Sequence, residues 1–283
     1  MLDLSHRHEL TWLAQLLADV EAAAPAMRPL LVGAFARDLL LHYAHGLEID
    51  RVTGDVDFAL AVADWAQFSA GREALLASGK FEPFRNTAHR LRHGKFGWID
   101  LIPFGAVERA DGTIAWPPSG DEVMPVLGYA EADAAALQVL LPKNQAVRVI
   151  SLAMLAVLKV LAWKDRHRTT LGKDAADLTL ILRRYLEAGN LDRLYAEFPQ
   201  VISENFDFEP TGAWLLGRDA RAQMRKHSAR FERLVDRLND VLLPELDPER
   251  ELTLVLQLNP ADPEKALKLL SAFHAGLTGT ERP

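Results

Sequence analysis

The sequence predicts an α+β protein: a mixed sheet with flanking helices over residues 1–150, then a helical bundle over 151–283. Three observations lead there. Up to Ile150, short apolar runs with strand-like alternation are interleaved with stretches of helical periodicity. Beyond Ile150 only the helical period persists. Hydrophobic residues make up 49% of the 283 and charged residues 25%, a composition that folds around a core.

The elements follow in order. His8 to Ala23 carries Leu10, Trp12, Leu13, Leu16, Leu17 and Val20 at amphipathic helical spacing. Pro29 to Val32 is an apolar run that ends in Gly33, and Phe35, Leu39, Leu40 and Tyr43 then repeat at helical intervals, so strand, glycine turn and helix are expected. Asp55 to Val62 is strand-like. Asp64 to Ser78 is helical and stops at Gly79. Three strand candidates follow at Phe81–Arg85, Ala88–Lys95 and Gly97–Phe104, completing an αβαβαβββ order. From Val107 to Leu141 the Asp111-Gly112, Trp116-Pro117-Pro118, Gly120 and Gly128 signals predict hairpins and turns that extend the sheet, and Asn144–Ile150 a last strand. Ser151–Trp163 reads as a buried helix, with another beginning at Gly172. Helices are then expected at Leu191–Phe198, Gly212–Gln223, Ser228–Leu243 and Pro263–Leu277, split by Pro199, Pro210, Pro244, Pro248 and Pro260.

Bulk properties exclude several classes. A net charge of −7 argues against coating nucleic acid by overall electrostatics, though it permits a local basic face. The absence of cysteine removes disulfides and thiolate metal sites. The start lacks a basic region followed by an apolar one, and no apolar run reaches the roughly 18 residues of a spanning helix, so a cytoplasmic location and no membrane are expected. Neither a repeat period nor a low-complexity tract is present.

The chemistry concentrates between Gly33 and Phe58. A helix starting at the Gly33-Ala34 turn offers unpaired N–H groups to a phosphate, and Arg37, one turn in, adds a charge to the same anion. In the Asp55-Val56-Asp57-Phe58 strand the two aspartates point the same way while Val56 and Phe58 turn into the core. Such a pair is either two solvated carboxylates at a strand end or a hard-oxygen site for Mg²⁺ (or Mn²⁺). Asp100, a charge amid the apolar Gly97–Phe104 run, needs a partner. Were that strand to lie beside the first, the three carboxylates could hold two ions roughly 3.5–4 Å apart for an in-line displacement.

These residues resemble the nucleotidyltransferase domain of the DNA polymerase β superfamily, and Ala36-Arg37-Asp38 with the interval to Asp55 resembles the Gly-Gly-X-Val-Arg-Asp pattern of tRNA nucleotidyltransferases. The chain is most similar to the bacterial AbiEii-like nucleotidyltransferases, toxins of type IV toxin–antitoxin systems, over about residues 25–187. The resemblance implies a pyrophosphate-releasing transferase of NMP from an NTP to a hydroxyl, with RNA or tRNA as acceptor and a cognate antitoxin as partner. It places Asp55, Asp57 and Asp100 on the metal and catalysis, and Gly33, Ala34, Arg37 and Thr53 on the nucleotide. Ala34 stands where many members have Ser or a second Gly, removing a hydroxyl contact. Leu158 to Arg166 looks like the family's lysine-bearing helix, so Lys159 is expected on the triphosphate, with residues 151–187 completing the site. The same helix read by itself leaves Lys159 either reaching to the edge or paired with an anion.

Further residues carry two readings each. Arg90 and Arg92, alternating with His89, Leu91 and His93, suit phosphate or RNA, or an exposed edge strand. Trp116 could stack on a base or fill the core. Asp174 and Asp177 suit a helix start, while the resemblance makes Asp174 an active-site carboxylate bridging to Lys159 or Arg166. The basic helices from Arg218 to Arg237 are a solvated surface or an RNA groove. Two rival functions remain: nucleotidylation of a small molecule or protein, and a non-catalytic module that binds nucleotide or a partner.

Overall fold

The computed structural model describes residues 1–49, 53–85, 87–170, 172–202, 206–247 and 252–280; Arg51 and Val52, before the aspartate strand, and Pro248 lie outside the described residues. The chain forms two compact units, Met1–Leu39 with Ile49–Ile150, and Leu40–Glu48 with Ser151–Pro283. Among the described residues no helix is long and apolar enough to cross a membrane.

The first unit runs β1 (Leu2–Asp3), α1 (Thr11–Ala23), β2 (Leu30–Val32), α2 (Gly33–Asp38), β3 (Val56–Val62), α3 (Trp65–Ala77), β4 (Phe81–Pro83), β5 (Arg90–His93), β6 (Gly97–Gly105), β7 (Thr113–Ala115), β8 (Val123–Pro125), α4 (Tyr129–Ala134), β9 (Leu137–Leu141) and β10 (Gln145–Val149). Its larger sheet has the order β1-β9-β10-β2-β3-β6-β5-β4. β3 lies parallel to β6 and antiparallel to β2, and β5 lies antiparallel to β6. The mixed α+β character follows from the alternation in the sequence. Val56 and Phe58 are wholly buried from β3, and Leu13, Leu16, Leu17 and Val20 form the buried stripe of α1. The Asp64 carboxylate accepts the Gln67 N–H at 2.7 Å and so caps α3.

The stretch from Val107 to Leu141 departs from expectation. β7 and β8 pair only with each other, as a separate hairpin, and α4 intervenes before β9 joins the larger sheet between β1 and β10. Pro117, Pro118 and Pro125 lack an N–H to donate, which disfavours pairing of this segment along both edges. The helix expected over Phe35–Tyr43 is α2 followed by a π-helical turn, Leu39–Tyr43.

The second unit holds α5 (Leu152–Arg166), α6 (Lys173–Arg184), α7 (Leu191–Glu197), α8 (Phe208–His227), α9 (Phe231–Glu245), α10 (Thr253–Leu258) and α11 (Pro263–Thr278). The Ser151 hydroxyl accepts the Met154 N–H at 3.1 Å and starts α5. Pro210 does not split α8, because it occupies the first turn, where a missing N–H costs nothing. Pro244 lies within α9 near its C-terminal end, where it removes one N–H from the helix ladder, and the helix runs only one residue further, to Glu245. α8 and α11 meet backbone to backbone: a Cβ on Gly217 would stand 2.1 Å from the Phe273 carbonyl oxygen, and one on Gly276 would stand 2.0 Å from that of Trp214.

Candidate active site

The sheet register sets three charged side chains in one row. Val32 pairs with Asp57, Asp57 with Asp100, and Asp100 with Arg90, across β2, β3, β6 and β5. Paired residues on adjacent strands share a face, and Asp55, just ahead of β3, reaches the same arginine. The chain leaves the row at Gly33, whose φ is +72°. A Cβ there would come within 1.9 Å of Asp57 Oδ2, so only glycine lets the β2–α2 turn lie against this carboxylate.

Arg90 is the row's cation. Its Nε donates to Asp100 Oδ1 at 2.7 Å and its Nη2 to Asp100 Oδ2 at 2.6 Å, a two-pronged pair. The same Nη2 lies 3.5 Å from Asp55 Oδ2. The hydrogen bonds to Asp100 outweigh the effect of burial and, with the charges of Asp100, Asp55 and Asp57, raise the Arg90 pKa further above its already high ordinary value. Arg90, for which the sequence left open a phosphate or RNA contact and an exposed edge strand, pairs here with carboxylates. Leu91 and His93 from the same strand are buried.

On the other side of the Gly33 turn, Arg37 and Asp38 are both buried. Arg37 Nε donates to Asp38 Oδ1 at 2.8 Å, and Asp38 Oδ2 accepts the Thr53 N–H at 3.3 Å. The guanidinium expected on the triphosphate thus holds Asp38, which in turn holds the loop leading to Asp55. The Thr53 hydroxyl is buried with no hydrogen-bond partner, and Gly33 and Ala34 are half-buried. Among the described residues no three His, Asp or Glu side chains are arranged to hold a metal ion. The donor chemistry of Asp55 and Asp57, hard oxygens at and just ahead of the start of β3, suits one Mg²⁺. Asp100 is already bound by Arg90.

In the second unit α5 and α6 carry a charge cluster in which Lys159, Asp174 and Asp177 are buried and Arg166 is exposed. Lys159 Nζ lies 3.1 Å from Asp174 Oδ1 and also bonds Asp177, while Arg166 donates to Asp174 through Nε and Nη2, each at 2.7 Å. Burial alone would raise the Asp174 pKa. The Arg166 hydrogen bond and the Lys159 and Arg166 charges together outweigh it, and the pKa falls below the ordinary carboxylate value. Lys159 has its anions within its own unit.

A family model described as nucleotidyl transferase AbiEii toxin, type IV TA system, matches residues 15–247. The chain belongs to the AbiEii nucleotidyltransferase family. Two solved structures are similar to it. One is the solution structure of the antibiotic-resistance factor ANT(2'')-Ia, at 17% identity over 67% of this chain and 92% of that chain, TM-score 0.39. The other is an antigenic nucleotidyltransferase-like protein from Paracoccidioides brasiliensis, at 18% identity over 70% and 90%, TM-score 0.39. Likeness at this level leaves the assignment to the family match. No curated protein matches the chain.

For this AbiEii nucleotidyltransferase the structure brings Asp57, Asp100 and Arg90 together with Asp55 beside them, sets Gly33 against Asp57, and joins Lys159, Arg166 and Asp174 to one another. Trp116 is 3% exposed and packs against Trp65, Phe68 and His89, which settles it as a core residue. Asp38 was missed as a site residue. A charge beside Arg37 in an otherwise apolar helix was the available signal.

Proposed function

We propose that this family member transfers a nucleoside monophosphate from an NTP to a hydroxyl of an RNA acceptor, with tRNA the leading candidate. The observation that carries the reading is the Asp57–Asp100 pairing on adjacent parallel strands, directly beside the Gly33 turn. In this reading the acceptor oxygen bonds to the α-phosphorus as the bond from that phosphorus to the pyrophosphate oxygen breaks, and the hydroxyl proton passes to Asp100. Asp55 and Asp57 would hold a Mg²⁺ (or Mn²⁺) ion, which when bound offsets the charge on the triphosphate. The backbone N–H groups of Gly33 and Ala34 and the Thr53 hydroxyl would bind phosphate oxygens, and Arg37 would position Asp38 and through it Thr53. Catalysis then rests on positioning and charge stabilisation. The family description as a type IV toxin supports a cognate antitoxin as partner.

The acceptor is tested by incubating the protein with each α-³²P-labelled NTP and a mixture of total RNA, protein and small metabolites. Label in the RNA fraction is expected. Label confined to protein or metabolites would replace RNA as the acceptor, and the net charge of −7 makes small-molecule transfer the second reading.

A further inference from the structure

Arg90 stands where the chemistry leads one to look for a metal ion. A two-ion site clamps the attacking and leaving oxygens of an in-line displacement, and Asp100 is the carboxylate beside Asp57 that a second ion would need here. Here both oxygens of that carboxylate, Asp100, accept hydrogen bonds from one guanidinium at 2.7 and 2.6 Å, and the guanidinium extends to within 3.5 Å of Asp55. The arginine is not a loop residue that swings freely. It lies in β5 in direct register with Asp100, and the next residues of that strand, Leu91 and His93, are buried on the opposite face. A guanidinium fork matches a carboxylate in plane and keeps its charge at every working pH. One divalent ion and one guanidinium balance three carboxylates.

Resting on the nucleotidyltransferase reading above, we propose that Arg90 is the second cation of this site: the chain takes a single divalent ion at Asp55 and Asp57, and the guanidinium occupies Asp100 in place of a second ion. Asp100 then acts on the acceptor hydroxyl without being a metal ligand, and the affinity of the site for metal is set by Asp55 and Asp57.

The test is a titration of the full chain with Mn²⁺ alone, followed by electron paramagnetic resonance. The native protein is expected to bind one Mn²⁺, lost in Asp57→Asn. Arg90→Gln should gain a second Mn²⁺ bound at least tenfold more tightly than any further ion on the native protein, and Arg90→Lys, which keeps a cation, should stay at one. Asp100→Asn provides a check that does not depend on Arg90→Gln folding: its affinity for the single ion should stay within about twofold of native. Two ions on the native protein, a single ion on a folded Arg90→Gln, or a tenfold loss in Asp100→Asn would overturn the assignment of Arg90 while leaving the transferase reading standing. No Mn²⁺ on the native protein would overturn the metal site and the inference with it.

Discussion

Replacing Gly33 by alanine should harm fold and chemistry together, through one atom. The residue has φ +72°, where a Cβ costs about 1–2 kcal/mol. That Cβ would also stand 1.9 Å from Asp57 Oδ2 and 3.1 Å from Asp57 Cβ, so the carboxylate must move by more than an ångström. Overpacking of this kind adds about 1–3 kcal/mol, giving a total loss of about 2–5 kcal/mol. Displacing a reactive group by about 1 Å costs on the order of 100-fold in rate. A double-mutant cycle separates the two parts. Urea unfolding of Gly33→Ala, Asp57→Ala and the pair should show the alanine costing only about 1–2 kcal/mol once the Asp57 carboxylate is gone. Equal cost in both backgrounds, or a Gly33→Ala protein with native stability and native transfer, would refute the close approach.

Other outcomes follow from the second unit. Lys159→Met leaves Asp174 and Asp177 without their shared ammonium and should destabilise by about 3–5 kcal/mol in urea unfolding. Adding Asp174→Asn and Asp177→Asn should restore much of that, and no recovery would contradict a lysine held by these partners. The Asp174 pKa is lowered on folding, so its contribution is complete above the unfolded value of about 3.9 and is lost as pH falls through the folded one. The stability difference between native and Asp174→Asn protein should therefore be flat above about pH 5 and narrow below about pH 4; a difference unchanged down to pH 3 would count against the pairing. Gly276→Ala, whose Cβ would meet the Trp214 carbonyl oxygen at 2.0 Å, should cost about 3 kcal/mol, read as a lower urea midpoint.

What the sequence made legible was local. Alternation in Asp55–Val62 and Gly97–Phe104 was enough to expect two strands with their aspartates on defined faces, and Gly33 marked the turn between strand and helix. Register is not local. That Arg90 lies opposite Asp100 depends on how β5 slides along β6, and shifting by one residue would turn Arg90 to the other face. The buried Arg37–Asp38 pair escaped notice for a related reason: a charged dipeptide on a helix looks solvated until its surroundings are known. In the helical unit Pro210 stands in the first turn of α8, where no N–H is needed, and Pro244 is followed by one more residue of α9 before the helix ends; a proline alone does not say on which side of it a helix stops. The two-residue β1 is too short for any periodic signal, and Gly217 and Gly276 show their purpose only when α8 lies on α11.

The most direct test of the central claim is Mg²⁺-dependent transfer from α-³²P-labelled NTPs by the native protein, beside an Asp55→Ala/Asp57→Ala double variant shown to be folded. Label is expected in an acceptor with the native protein and none with the variant. Transfer that survives loss of both carboxylates would contradict that claim.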